Sequence, residues 1–319
     1  MSAGLWARPL PRVGGKRKAV SKAASSESSD SRGLTSAFEL RHNGLRWTRR
    51  AVHIALLVFL VVGALGPLLW LARAAITPTQ DTLRTPMAFW PHGIAWQNLK
   101  TAWVDLDLKL YFKNTLIIAL GSWATQMLVA TTAGYALSIL RPRYGQILYG
   151  AVLATMFVPA VVLLVPLYLT VLNLPISHTN LVNTYWAAFL PAGASAFNVA
   201  VVKRFFDNLP REVIDAARVD GAGSFRLFWY VVLPMSRPVL GVVSVFAVLA
   251  AWKDFIWPLI VLPDPAKQPL SVRLPSLAPV TELDIFLAAL LISTVVPIAF
   301  FVIFQRFFLR GGLDGAVKG

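Results

Sequence analysis

Residues that could do chemistry are few in this chain of 319 residues, and their types and spacing exclude most reactions. With no cysteine there is no thiol nucleophile, no disulfide and no cysteine-ligated zinc or iron–sulfur site. His42, His53, His92 and His178 are scattered without the H-x-x-x-H spacing of a metal pair, and no metal site is expected. Gly14, Gly15 and Lys16 start like a phosphate-binding loop but continue into Arg17. The chain is therefore expected to hydrolyse no nucleotide and to be no enzyme. Two charged constellations remain. In the first, Pro210 suits the opening turn of a helix that Asp207 or Asn208 would cap, and Gly221 and Gly223 would stop it. Val213, Ala216, Ala217 and Asp220 fall on one side of that helix, while Asp215 can pair weakly with Arg211 and Arg218 on the other. About three turns long, it would be marginal alone. Held off a membrane, it suits docking to a soluble partner; a helix lying on the bilayer surface would carry the same pattern. In the second, Lys253 and Asp254 interrupt an otherwise apolar run, where charge is costly and usually faces protein or water.

The elements that must position these residues are membrane helices. Only 14% of the residues are charged and 56% are hydrophobic, whereas a soluble domain carries about 25% charged residues. The net charge of +15 would suggest nucleic acid on a soluble domain, but residues 1–50 alone hold eleven bases against three acids. That segment reads as a disordered, basic cytoplasmic tail, and no nucleic-acid partner is expected. Its first apolar stretch begins only near Ala51, too late and too long for a cleaved signal. About 20 apolar residues cross the hydrocarbon. On that measure residues 51–319 hold six spans, near 51–74, 114–140, 148–172, 181–203, 238–262 and 285–306. Asn173, Pro175, Ser177, His178, Asn180 and Asn183 form the polar break that divides the third from the fourth. With the tail inside, 22 of the 30 bases fall on the cytoplasmic side, so both termini are expected there. The longest inside connection is residues 204–237. Pro67, Pro159, Pro166, Pro191, Pro258 and Pro297 should kink their spans, and the small residues Ala130–Gly134 should let helices approach closely.

The loop carries more than periodicity. Asp215, Ala216, Ala217, three residues, Gly221, nine residues, Val231, one residue, Leu233 and Pro234 resembles the cytoplasmic signature of permease subunits in ATP-binding-cassette importers. NLVNTYWAAFLP (180–191), AWKDFIWPLIVL (251–262) and QRFFLRGGLDGAVKG (305–319) resemble the carbohydrate branch, and most of all the maltose-type second permease with six spans. The resemblance covers residues 50–319. It implies an all-α integral protein of a prokaryotic cytoplasmic membrane, forming half of a translocation pathway. It implies as partners a second homologous permease, a dimeric ATPase that uses ATP and Mg, an extracytoplasmic sugar-binding protein and membrane lipid, with no cofactor on this chain. The loop residues implied in coupling to the ATPase are Glu212, Asp215, Ala216, Ala217, Asp220, Gly221, Leu233 and Pro234. The terminus from Gly311 is a second candidate contact. Two positions depart from the family pattern: Asp215 stands where Glu is usual, and Lys253 where Asn is typical.

Sugars offer hydroxyls and apolar ring faces, which amides, carboxylates and aromatic rings recognise. Trp252, Lys253, Asp254 and Trp257 supply such groups, with Tyr168 and Asn183 nearby; interfacial anchoring and snorkelling would explain the same residues. An importer of another solute, a stand-alone secondary transporter and a membrane scaffold are the alternatives. Gly221→Trp is expected to block the turn, and deletion of residues 2–40 to leave transport largely intact.

Overall fold

The computed structural model describes residues 43–316 apart from 89, 91 and 92, and among these every regular element is helical. The tail expected over residues 1–50 lies outside the described residues up to His42. Two compact units divide the chain, the first ending at Leu68 and the second beginning at Leu69. A helix α1 runs Asn43–Ala75. In the first unit its side chains, Leu56, Leu57 and Phe59 among them, are exposed, as a lipid-facing span requires.

The second unit is built around one long helix. After α2 (Thr79–Arg84) and α3 (Gln97–Asp105), α4 covers Leu108–Tyr135 and continues as a π-helical turn, Ala136–Leu140. Then come α5 (Gly145–Ala154), α6 (Ala160–Leu172), α7 (Tyr185–Phe189), α8 (Ala196–Asp207) and α9 (Arg211–Val219). Following are α10 (Ser224–Leu227), a π turn Phe228–Val232, α11 (Leu233–Met235), α12 (Arg237–Lys253), α13 (Ile256–Val261), α14 (Leu270–Leu277) and α15 (Leu283–Ala316). The helix α4 packs against α7, α8 and α12. Its small residues permit this: a Cβ on Gly134 would sit 2.9 Å from Val202 Cγ1 and 3.3 Å from the Lys203 backbone nitrogen.

Three spans expected as single helices are broken. At Val158–Pro159 the chain turns by 111° between residues 145–157 and 160–172. Proline there has no N–H for the ladder, and the residue before it is pushed to an extended conformation, as the Val158 angles show. Residues 181–184 are not helical, and a 43° bend divides Tyr185–Gly193 from Ala196–Asp207, beyond the expected end at 203. Ser195 starts α8 by accepting the Asn198 N–H. The fifth helix stops at Lys253 instead of running to 262. The span 114–140 starts earlier, at Leu108, because the absence of charge marks hydrocarbon depth and not the helix end; Lys109 and Lys113 lie on its first two turns. The last helix continues past 306 to Ala316. Pro67, Pro166 and Pro297 sit inside helices.

A buried clasp closes the end of α4. Asn114, 1% exposed, donates Nδ2 to the carbonyls of Ala266 (2.8 Å) and Gln268 (3.0 Å) and accepts from Tyr185 OH (2.7 Å). Side-chain hydrogen bonds inside membrane proteins contribute about 0.6 to 1.7 kcal/mol each. Asn114→Leu should therefore destabilise the fold by about 2–4 kcal/mol in a denaturant titration in detergent; an unchanged midpoint would show that the clasp holds nothing.

Candidate functional site

The helix α9 is the loop helix foreseen in the sequence, but its start and its faces differ. Asp207 ends α8 and Asn208 follows as its C-cap, so neither caps α9, which opens after Pro210 without a side-chain cap. The reason is the α8 terminus, which uses both groups: Asp207 accepts from Lys203 Nζ and Ser138 Oγ, each at 2.7 Å, and Asn208 Nδ2 donates to the Arg204 carbonyl. Glu212 lies in the first turn of α9, where a negative charge meets the helix dipole favourably. Ile214, 6% exposed, and half-buried Ala217 pack on the apolar cluster of Phe206, Leu209, Leu227 and Val232. Val213, Ala216, Val219 and Asp220 remain exposed. Of the two expected pairs, Asp215 meets Arg218 (3.3 Å), and none with Arg211 is formed. Both partners are exposed, which makes the contact worth little.

Gly221 ends α9 with φ +82°. Its N–H donates to the Arg218 carbonyl (3.0 Å), and the Ala222 N–H reaches back to Ala217 (2.9 Å). That pair of bonds is the Schellman arrangement, which a left-handed residue makes possible. Gly223 begins the next helix and does not stop this one. Leu233 is half-buried against the same cluster, and Pro234 lies exposed in the first turn of α11. A bend of 79° then leads into α12.

Both flanks of α9 are tied to one place, the C-terminal end of α4. Before it, Asp207 binds Ser138; after it, Tyr135 OH donates to the Ser224 carbonyl at 2.7 Å, and the Tyr135 and Phe228 rings lie 5.0 Å apart. Force on α9 therefore passes to the helix that the rest of the unit packs around. Asp207→Ala strands Lys203 and Ser138 together; with these groups part-exposed the cost should be about 1–2 kcal/mol. A double-mutant cycle with Ser138→Ala checks it, because independent effects would disprove the tether.

The second constellation lines a cavity of about 740 Å³ whose wall includes Ser122 and Gln126 of α4, Ala160 and Leu164 of α6, Pro191, and Lys253, Asp254 and Trp257. The break after α12, at Asp254 and Phe255, lines it, in keeping with irregular backbone at membrane depth being tolerated where it lines a cavity. Gln126, 7% exposed, accepts from Asn198 Nδ2 at 2.6 Å. Trp252 is not brought there: it packs edge-on to the Phe112 ring (5.6 Å). Trp257 is buried and donates Nε1 to the Ala187 carbonyl (2.9 Å), a bond that fixes α13 on α7. Tyr168 is not on the wall itself but packs against the apolar cluster of Ile118, Ala188 and Trp257 that helps to form it, and the Asn183 carbonyl accepts from Lys267 Nζ (2.9 Å).

Comparison with known proteins gives this geometry a family. The family described as binding-protein-dependent transport system inner membrane component matches residues 126–311. The chain belongs to that family. The diacetylchitobiose uptake system permease protein of Streptomyces coelicolor is 30% identical over 262 residues, 80% of this chain and 85% of the relative. The lactose transport system permease protein of Rhizobium radiobacter is 29% identical over 79% of this chain and 90% of its own. The sn-glycerol-3-phosphate transport system permease protein of Yersinia enterocolitica is 28% identical over 83% and 98%. In structure, the fold matches a chain of a bacterial ABC transporter involved in the import of the acidic polysaccharide alginate, with a TM-score of 0.73, 21% identity and coverage of 84% of this chain and 98% of that one. The matched segment of this membrane component begins at Gln126, inside α4, and so includes α9 and most of the cavity wall. Gln126 and Ser122 themselves were not singled out from the sequence. The available signal was their place, four residues apart, in a charge-free span.

Proposed function

We propose that this chain is the permease subunit of an ATP-binding-cassette carbohydrate importer. It forms half of the pathway and couples to a separate ATPase through α9. One observation carries the reading: a short helix, stopped by left-handed Gly221, exposes Val213, Ala216 and Asp220 while both its flanks are tied to α4. Such a knob can be gripped from outside and can turn the bundle as a rigid body. The relatives' roles in diacetylchitobiose and lactose transport support carbohydrate as the cargo.

In this reading six spans cross the membrane: α1, α4, α15 and three broken ones made from α5–α6, α7–α8 and α12–α13, with α10 and α11 in the cytoplasmic loop. Both termini lie in the cytoplasm. The ATPase dimer, binding ATP and Mg, receives Glu212, Asp215, Ala216, Ala217, Asp220 and Gly221, with Leu233 and Pro234 bracing the loop behind them. A second permease completes the pathway, and an extracytoplasmic binding protein delivers the sugar. A phosphorylated small solute is the alternative cargo, favoured by the glycerol-phosphate relatives.

Purification from native membranes should bring down an ATPase and a second permease. Proteoliposomes holding that complex and its binding protein should accumulate labelled sugar only with ATP and Mg. Accumulation by this chain alone on an ion gradient would overturn the importer reading.

A further inference from the structure

Two neutral polar side chains on the cavity wall hold hydrogen-bonding groups with nothing to pair with. Ser122 and Gln126 are one turn apart on α4, on either side of the midpoint of the helix Leu108–Leu140, so they share a face at membrane depth. Gln126 is 7% exposed and Ser122 2%. Asn198 Nδ2 donates to Gln126 Oε1 at 2.6 Å, a bond that fixes which way the amide faces. Among the described residues nothing accepts from Gln126 Nε2, and Ser122 Oγ has no hydrogen-bond partner. Neither atom is sealed in packing, because the sealed side-chain atoms without a partner among the described residues are Arg73 Nε and Thr82 Oγ1. Both therefore open onto the cavity that they line.

A polar group left unpaired in apolar surroundings is costly. Water in the cavity can meet that cost, and a hydroxylated molecule can replace the water bond for bond. Side chains one turn apart have Cβ atoms about 5–6 Å from each other, so this pair can reach neighbouring hydroxyls of one sugar ring. The amide N–H donates to one hydroxyl oxygen, and the serine hydroxyl donates to or accepts from the next. Much of the remaining wall is aliphatic, with the Phe255 and Trp257 rings, which suits the apolar faces of a sugar. Its volume of about 740 Å³ falls within the range of about 300–1,000 Å³ usual for small-molecule sites. We propose that Gln126 Nε2 and Ser122 Oγ form a contact site for the hydroxyls of a sugar in transit. Asn198 is the positioning residue that aims the amide. The proposal rests on the importer reading above and names where this subunit touches its cargo.

Proteoliposomes of the complete complex with its binding protein test it, with labelled lactose, diacetylchitobiose and glycerol 3-phosphate as probes. Ser122→Ala and Gln126→Met each remove a donor, and each should lower ATP-dependent sugar uptake about three- to tenfold, as loss of a neutral hydrogen bond allows. ATP hydrolysis stimulated by the loaded binding protein should be retained, so the sugar carried per ATP falls. Asn198→Leu, which frees the amide to turn, should give a smaller loss of the same kind. Because Gln126→Met strands the Asn198 amide, the double variant Gln126→Met with Asn198→Leu is measured beside it and should match it. Size-exclusion chromatography reads assembly of each variant, and Ser122→Ala, the smallest change, decides where an amide variant fails to assemble. Unchanged sugar per ATP in the assembled variants, or uptake and hydrolysis lost in equal measure, overturns the contact site and leaves the importer intact. Uptake of neither sugar by the unaltered complex, with or without uptake of glycerol 3-phosphate, defeats the carbohydrate reading itself.

Discussion

Gly221→Val is expected to lower ATP-driven uptake by the assembled importer about tenfold, while Gly221→Asn keeps most of it. A Cβ on Gly221 would meet nothing within 4 Å, so no clash at that atom accounts for the cost of a side chain here. The penalty comes from φ +82°. For an L-residue the left-handed region costs about 1–2 kcal/mol, more with β-branching, and asparagine is the side chain that visits it most readily. A penalty of that size shifts the end of α9 away from the Schellman turn by about a factor of ten. Ala217 then loses the Ala222 bond that closes the helix. The chain should still insert and assemble, because Ile214 keeps its contacts. Uptake and sugar-stimulated ATP hydrolysis in proteoliposomes give the measurement; a valine variant equal to wild type would show that the left-handed turn does not matter to coupling.

Gly121→Leu should be the most damaging single change in the membrane core. A Cβ at this position would lie 2.5 Å from Phe189 Cδ1 and 2.6 Å from Cγ. These atoms are near the root of the ring, which already packs against Trp186 with centroids 4.9 Å apart, so it cannot swing aside freely. Overpacking of this kind costs about 1–3 kcal/mol when neighbours can shift. Here the shift would also disturb the Phe189 carbonyl that accepts from Thr125 Oγ1 at 3.1 Å. The yield of intact complex should drop several-fold, and Phe189→Ala in the same chain should restore part of it by opening the space. Equal yields for the single variant and wild type would mean that α4 and α7 do not approach as described.

Neither effect is visible in the sequence at the level of atoms, although much of its setting is. Charge-free runs located the three helices long and apolar enough to cross a membrane, α1, α4 and α15, because placing ionised groups in hydrocarbon is so unfavourable that their absence is itself a signal. Pro210, Asp215–Ala217 and Gly221 announced the loop helix, since its stop depends on a residue type and not on distant contacts. Breaks were another matter. Proline sits inside a continuous helix at Pro166 and at a 111° turn at Pro159, and local composition alone does not distinguish the two. The cap assigned to Asp207 failed for a related reason: Ser138, sixty-nine residues earlier, claims the same carboxylate.

What the sequence alone determined, then, is that this chain lives in a membrane and carries a short loop helix stopped at Gly221, because both follow from residue types and short spacings. What only the tertiary structure decided is which groups meet: Ile214 turns inward while Val213 faces out, and Trp252 points away from the cavity that Lys253 shares with Gln126. Periodicity fixes which side chains share a face of one helix, but a neighbour's position decides whether that face is buried, and neighbours far apart in sequence are set by packing.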